Sequence, residues 1–405
     1  MREEPDNSIS FFARTNFRQQ GKLFGIKQAD RRGHMYVIGQ TGTGKSTLLE
    51  TLIRQDLEAG RGLALLDPHG DLAEKLMRDL PENRAQDTIY FNATDTAHPL
   101  GFNPLESVPP PKRPLAASGL IEVFKKIWAD SWGPRLEHIL RNALLALLDQ
   151  PEATLADVLR LLDDRSFRKR AALRVANAPV RRFWLREYES YPARFRAEAI
   201  VPIQNKVGAF LSNPILQAIV TQPKSAFDLR RVMDEGQALI VNLAKGRIGE
   251  DVASLLGAML VSRIGLAAVS RVETPERERR DFFLYLDEFH TFTTLSLATM
   301  LPDLRKYRTN LILAHQHLAQ LDPLVREAIF ANAGTIIAFR IGAADAEILG
   351  KEFAPEFEEV DLINLPNYNI YLKLMIDGKV SRAFSAETVA PESVPAVLAI
   401  APPRA

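Results

Sequence analysis

The sequence predicts an α/β fold: a mainly parallel sheet covered by helices on both faces, interrupted by an all-helical insertion. Three observations carry that expectation. A glycine-rich loop at 39–44 stands between an apolar run and an amphipathic run. Apolar runs of strand length then alternate with runs of helical period, as in strands buried on both faces. The alternation stops at SVPPPKRP, 107–114, and from about 115 to 235 almost everything reads as helix.

In order along the chain, residues 1–30 or so are polar and expected to be irregular. HMYVIG (34–39) is a strand that runs into the glycine loop, and KSTLLETLIRQDLEA (45–59) is a helix. GLALLD (62–67) and DTIYFN (87–92) are strands separated by the helix GDLAEKLMRD (70–79). The three prolines 109–111 end regular structure, because proline fixes φ and lacks a donor. The insertion reads as the helices 119–130, 135–150, 154–164, 167–178 and 200–211. At Gly236 the α/β rhythm returns, with strands ALIVNLA (238–244), DFFLYLDEF (281–289), NLILAHQ (310–316) and GTIIAFR (334–340). Helices at 248–271, 298–307, 323–332 and 344–353 separate or follow them. NYNIYLKLMIDGKVSRAFSA (367–386) reads as two strands around Asp377-Gly378, a hairpin turn pair. The expected organisation is therefore 1–111 and 236–388 as two halves of one α/β domain, 112–235 as the inserted all-α domain, and 389–405 as a flexible tail.

Composition narrows the classes. A chain of 405 residues, 46% hydrophobic, can bury a sizeable core in two or three domains. The net charge of +1 advertises no nucleic-acid or membrane partner in bulk, so any basic surface must be local. With no cysteine, disulfides, thiolate zinc sites and cysteine catalysis are excluded, and a reducing compartment fits. The start MREEPDNSIS lacks the build of a signal peptide. The most apolar stretch, 252–270, carries Arg263 near its centre, which costs ~2.5 kcal/mol or more on insertion scales. It is expected to be a core helix. The chain is expected to be cytoplasmic, with any recruitment to the inner membrane made through a partner subunit.

Chemistry concentrates in two places. Gly39, Gln40, Thr41, Gly42, Thr43, Gly44, Lys45, Ser46 and Thr47 spell a phosphate loop, G-x-x-x-x-G-K-S, in the required strand–loop–helix context. Glycines let successive N–H groups wrap phosphates, and the new helix points its positive end at them. Lys45 suits the β- and γ-phosphates of ATP, and the Ser46 hydroxyl suits Mg²⁺. The second place is the carboxyl end of FFLYL, where Asp287 and Glu288 stand. Asp287 is the expected Mg²⁺ residue, and Glu288 the expected base or water-positioning group. A guanine-recognition motif N-K-x-D is absent, since Asn205-Lys206 continues Val-Gly. Gln316 ends the strand NLILAHQ, in position to sense a γ-phosphate, and Arg305 is a candidate arginine finger from a neighbouring subunit, with Arg340 as the alternative.

Taken together, HMYVIGQTGTGKSTLL, LLDPHGDL, GFNPLES, IVNLAKGRIGED, LYLDEFHTF, LRKYRTNLILAHQ and ANAGTIIAFRIGAADAEIL resemble the FtsK/HerA superfamily of motor ATPases. Within it the chain is most similar to the TraG-type coupling proteins of type IV secretion and conjugation. The resemblance implies a RecA-like P-loop ATPase that forms a homo-hexameric ring and threads DNA through it. Lys45 and Ser46 are then the phosphate and magnesium residues, Asp287 and Glu288 the acidic pair, Gln316 the sensor and Arg305 the trans-acting arginine. A relaxase and a secretion-channel or membrane subunit are the implied partners. Typical members begin with transmembrane helices, and the sequence has none that reads as such. Two alternatives stay open: a HerA-like DNA-processing ATPase beside a nuclease, and a recruitment module in which ATP binding sets assembly.

The helical insertion holds a basic, aromatic stretch that suits phosphate contact and base stacking. Arg165, Arg168, Lys169, Arg170, Arg174, Arg181, Arg182, Arg186, Arg194 and Arg196 are interleaved with Phe183, Trp184, Tyr188, Tyr191 and Phe195. A solvated basic face over a helical core is the competing expectation.

Overall fold

A computed structural model describes residues 8–16, 21–106 and 108–394. Its strands are β1 (Ile9–Thr15), β2 (Leu23–Lys27), β3 (Met35–Ile38), β4 (Gly62–Asp67), β5 (Thr88–Asn92), β6 (Ala238–Asn242), β7 (Phe282–Leu286), β8 (Thr309–His315), β9 (Thr335–Ala338), β10 (Asn369–Lys373), β11 (Met375–Ile376), β12 (Lys379–Val380) and β13 (Phe384–Thr388). The large sheet runs β2-β1-β13-β10-β9-β3-β8-β7-β4-β6-β5. Its centre, from β9 to β6, is parallel, whereas β10, β13, β1 and β2 add an antiparallel flank. Every residue of β3, β4, β6, β7, β8 and β9 is buried, which is why these strands read as unbroken apolar runs. This is the α/β, RecA-like P-loop fold with a mainly parallel sheet that the sequence led us to expect.

One expectation is corrected. Residues 1–30 are not irregular throughout, since β1 and β2 pair with each other, and β1 pairs with β13. Ser10, Phe12 and Ala13 of β1 are fully buried, and Ile9 and Phe11, before and between them, are half-buried. A bulge between Phe11 and Ala13 sets the adjacent Phe12 and Ala13 both inward, which breaks the alternation a strand is read from. The predicted tail is described only to Ser393 and Val394, and its residues 395–405 lie outside the described residues. Asp377-Gly378 forms the expected turn, with φ of 50° and 76°, the left-handed pair a tight hairpin requires, but it closes only the short β11–β12 ribbon. The longer strands to either side, β10 and β13, pair with each other.

The chain divides into two compact units. The first, within 1–90, 230–242 and 268–405, carries the sheet. Its central core joins Val37, Leu65, Ile240, Tyr285, Ile312 and Ile337 from one face of the parallel strands with Leu48 and Leu52 of the helix Lys45–Glu58. A polar knot is embedded beside it. Arg31 donates to Asp56 at 2.6 and 2.8 Å and to the Tyr285 hydroxyl at 2.6 Å, and its guanidinium lies 3.8 Å from the Phe283 ring centroid. Burial alone would favour the neutral forms, but the Asp56 carboxylate outweighs it and Arg31 is raised above its ordinary range.

His34, at the entry to β3, is a second buried polar group. Its Nδ1 accepts from the Leu311 N–H at 3.1 Å, so Nε2 carries the hydrogen and donates to the Leu301 carbonyl at 3.1 Å. Both ring nitrogens are thus used by the neutral form, and burial pushes its pKa down to about 4. The unfolded imidazole takes a proton first, at ~6.5, so this contribution to stability is complete above that pH and is lost as pH falls toward 4. The expected loss from His34 between pH 7.5 and pH 5 is about 2 kcal/mol. Denaturant titrations at the two pH values, on the wild type and on His34→Asn, check it. An equal pH dependence in both proteins would refute the assignment.

The second unit, within 91–229 and 243–267, is helical. Its helices include Arg113–Ile127, Pro134–Leu147, Ala156–Asp163, Arg165–Arg174 and Ala193–Leu211, with most of the long helix Glu250–Ser270. The stretch Glu250–Glu273 is long and apolar enough to cross a membrane by length and composition, yet 78% of its most apolar window is buried. Arg263 donates to the Glu106 carbonyl at 2.8 Å, and burial pushes its pKa down to about 10.

Candidate phosphate-loop site

The site is assembled at the carboxyl ends of three neighbouring parallel strands. β3 delivers the glycine loop, β8 lies beside it, and β7 lies beside β8. The loop backbone leaves room only for glycine at two points. A Cβ on Gly39 would come within 2.5 Å of Phe339, and Gly44 adopts φ 121° with the rings of Tyr368 and Phe339 against it. From Gly44 the chain enters the helix Lys45–Glu58, so the first-turn N–H groups face the loop.

Lys45 is buried and donates to the carbonyls of Gly39 at 2.6 Å and Gln40 at 3.1 Å. Burial lowers its pKa, against the opposing pull of Glu288 and Asp287. Ser46 is exposed at the head of the helix and Thr47 is half-buried, while the Thr43 hydroxyl donates to Gln40 O at 2.7 Å and stays within the loop.

Opposite the lysine stand the acids. Asp287 follows β7, anchored by its N–H to the Leu66 carbonyl, and Glu288 follows in the left-handed region at φ 44° and ψ 48°. That conformation costs about 1–3 kcal/mol for a non-glycine residue. Both side chains are buried. Burial first, then repulsion from Asp67 and Glu288, pushes Asp287 up to about 7, with Lys45 opposing. Asp67 was not singled out in the sequence. It ends β4, next to β7, and its carboxylate accepts from the N–H groups of His69 and Ala73 at 2.9 and 3.0 Å. The signal was available, because an acid closes the buried run GLALLD just as Asp287 closes FFLYL.

Gln316 connects the two sides. Its Oε1 accepts from the Thr41 hydroxyl at 2.7 Å, and its Nε2 donates to Glu288 Oε1 at 2.6 Å. A single line of hydrogen bonds thus runs from the glycine loop to the acid. The other oxygen, Glu288 Oε2, is buried, accepts no hydrogen bond from the described residues and lies 3.5 Å from His290 Nδ1.

The two arginines differ. Arg340 joins the loop of its own chain, with Nε donating to Gln40 Oε1 at 3.3 Å while its carbonyl accepts from the Gln40 N–H at 2.8 Å. Arg305 is exposed and precedes the amino end of β8, whereas the glycine loop lies past the carboxyl ends of the strands. The seven residues of β8 separate the two edges by ~20 Å. Arg305 is therefore not brought together with the other site residues within one chain.

The residues suit Mg²⁺. Among the described residues no group of three or more His, Cys, Asp or Glu could hold a metal ion by itself. Magnesium typically takes one or two protein oxygens and completes its shell with waters and substrate phosphates. A carboxyl raised by burial and then by neighbouring acids, Asp287, is a group whose ionised form a cation would favour.

In the helical unit the aromatics of the basic stretch divide. Phe183, Trp184 and Tyr188 are buried in mutual contact, and Trp184 donates to the Asn142 carbonyl at 3.1 Å. Arg168 is also buried, held by Glu189 and by the Leu161 and Leu162 carbonyls, and Arg165 and Arg194 pair with Glu189 and Glu198. Lys169, Arg170, Arg174, Arg181, Arg182 and Arg186 are exposed.

A glycine loop on one parallel strand, a glutamine ending the next and an acid pair ending the one after define a RecA-like P-loop nucleoside-triphosphatase fold. More specifically, the chain belongs to the family described as the type IV secretion-system coupling protein DNA-binding domain, whose profile matches residues 19–345. Among solved structures it is similar to the bacterial conjugative coupling protein TrwBdeltaN70, at 17% identity and a TM-score of 0.64, covering 98% of this chain and 93% of that one. TrwB in complex with the non-hydrolysable GTP analogue GDPNP aligns at 17% identity and 0.63, over 98% and 94%. VirB4 of Thermoanaerobacter pseudethanolicus aligns at 15% identity and 0.65, over 95% and 97%. No curated protein matches the sequence significantly.

Proposed function

We propose that this chain is the ATP-hydrolysing motor of a coupling protein, assembled as a homo-hexameric ring that moves DNA for conjugative transfer through type IV secretion. The observation that carries the reading is the hydrogen-bonded line Thr41–Gln316–Glu288, which couples the phosphate loop to the acid expected to direct water. Family membership supports DNA as the moved polymer.

In this reading residues 39–47 wrap the phosphates of ATP, and Lys45 exchanges its bonds to the Gly39 and Gln40 carbonyls for β- and γ-phosphate oxygens. Ser46 and Asp287 hold Mg²⁺, which when bound neutralises phosphate charge. Glu288 uses Oε2, the oxygen without a hydrogen bond from the described residues, to orient and deprotonate the attacking water. Gln316, bonded to both sides, reports whether the γ-phosphate is present. The exposed cations of the helical unit, Lys169 to Arg186, are offered to DNA phosphates. A relaxase and a channel or membrane subunit are the partners this role requires.

ATP turnover should rise several-fold on adding DNA, and DNA retention should weaken as salt rises, because phosphate contacts release counterions. Turnover indifferent to DNA, with no DNA retained at low salt, would remove the motor reading and leave a recruitment module. For Arg305, its distance from its own loop fits a finger acting in trans, against the competing reading of a solvated basic helix end. Arg305→Ala and Lys45→Ala proteins, each inactive alone, should recover activity when mixed, since one mixed interface then holds an intact loop and an intact arginine. Mixed rings, verified by differential tagging, that stay inactive would rule the finger out.

A further inference from the structure

We infer that Tyr368 is the platform on which the nucleotide base stacks, and hence that it separates affinity for a nucleoside triphosphate from affinity for the triphosphate alone. The inference rests on the ATP-binding reading above and adds to it a residue with no motif of its own. Tyr368 precedes β10 and is tied to the phosphate loop by its backbone. Its N–H donates to the Thr43 carbonyl at 2.8 Å, and its carbonyl accepts from the Thr388 N–H at 2.8 Å and from the Thr388 hydroxyl at 3.1 Å. These bonds hold it at φ 65°, a conformation rarely adopted by an aromatic residue and retained only where the surroundings over-determine it. The ring lies against Gly44, where an added Cβ would fall 2.9 Å from Tyr368 Cδ1, yet it remains 47% exposed. A strained backbone that keeps a large aromatic side chain half in solvent, at the mouth of a phosphate loop, is a poor core arrangement and a good stacking surface.

The sheet order supplies the direction. β8 and β7, which carry Gln316 and the acids, lie on one side of β3, while β9 and β10 lie on the other. A triphosphate held by the loop with its γ-phosphate toward Glu288 must direct its sugar and base elsewhere. Tyr368 approaches the loop from the side of β10, away from the acids. Stacking on a phenol ring needs only a π-face, so adenine and guanine should be accepted alike.

The test is equilibrium binding of ATP, GTP and inorganic tripolyphosphate, each with Mg²⁺, to the full chain by calorimetry. Tyr368→Asn is the informative variant, because asparagine tolerates the left-handed conformation and keeps the backbone bonds to Thr43 and Thr388. It should weaken ATP and GTP ~5- to 100-fold and leave tripolyphosphate unchanged. Tyr368→Phe and Tyr368→Trp should bind like the wild type. Tyr368→Leu, which keeps bulk against Gly44 without a ring, should behave like Tyr368→Asn. Equal weakening of ATP and tripolyphosphate in Tyr368→Asn would show a role in loop shape and overturn the inference, as would unchanged ATP binding. A wild type that binds tripolyphosphate as tightly as ATP also overturns it. A wild type that binds neither strikes the ATP reading itself, a distinguishable failure.

Discussion

Glu288→Gln protein is expected to bind ATP normally and to hydrolyse it ~10²–10⁴-fold more slowly, the usual contribution of a positioned general base. The exchange keeps the volume of a buried side chain and removes its negative charge. Gln316 can still meet a carbonyl oxygen at the position of Oε1, so the line from Thr41 survives. What is lost is the second oxygen, Oε2, which accepts no hydrogen bond from the described residues. Single-turnover kinetics with ATP, beside equilibrium binding, separate the chemical step from affinity. Lys45→Ala should fail earlier, at binding. A Glu288→Gln protein whose turnover stays within tenfold of wild type would move the base assignment elsewhere, with Asp287 and Asp67 the remaining acids of the cluster.

Replacing Arg31 by Met should destabilise the sheet-bearing unit by about 3–5 kcal/mol, the range for breaking a buried ion pair from one side. Asp56 is fully buried, and without Arg31 it keeps Arg61 at 3.0 Å and the Tyr285 hydroxyl as partners. Arg61 places the expected loss toward the lower end. The double change Arg31→Met with Asp56→Leu should recover only part of it, since it removes the stranded carboxylate but takes a partner from Arg61 and both partners from the buried Tyr285 hydroxyl. Denaturant midpoints of the three proteins measure the effect. A single change costing under 1 kcal/mol would mean that water or a rearranged Arg61 satisfies Asp56.

Much of the site was legible because its parts are local. The glycine loop is contiguous, and the spacing of Gly39, Gly44, Lys45 and Ser46 follows from the shape of a phosphate wrapped by backbone N–H groups. Asp287-Glu288 was legible because an acid pair after five buried apolar residues has no packing reason to be there. Gln316 is legible only as the end of a strand, and that this strand lies beside β7, with the register Leu286↔Leu313, is a matter of sheet order. The basic stretch was only half legible. Helical spacing does not say which arginines meet a carboxylate, and Arg168 turns inward to Glu189 while Lys169 and Arg170 stay in solvent.

By itself, then, the sequence determined the elements whose causes lie within one segment. These are the buried parallel strands, the loop between β3 and its helix, the acids at a strand end and the helical insertion. Only the tertiary structure decided what depends on chain-distant neighbours. It brought Asp67 beside Asp287, closed the line Thr41–Gln316–Glu288, added β1 and β2 to the sheet and set Tyr368 against Gly44. It also put Arg305 at the opposite edge from the loop, because a parallel strand carries the residues before and after it to opposite ends of the sheet. The division has one physical reason. Propensity and periodicity act between residues a few positions apart, whereas a site is a meeting of side chains chosen by strand order, and strand order is settled by burial over the whole chain.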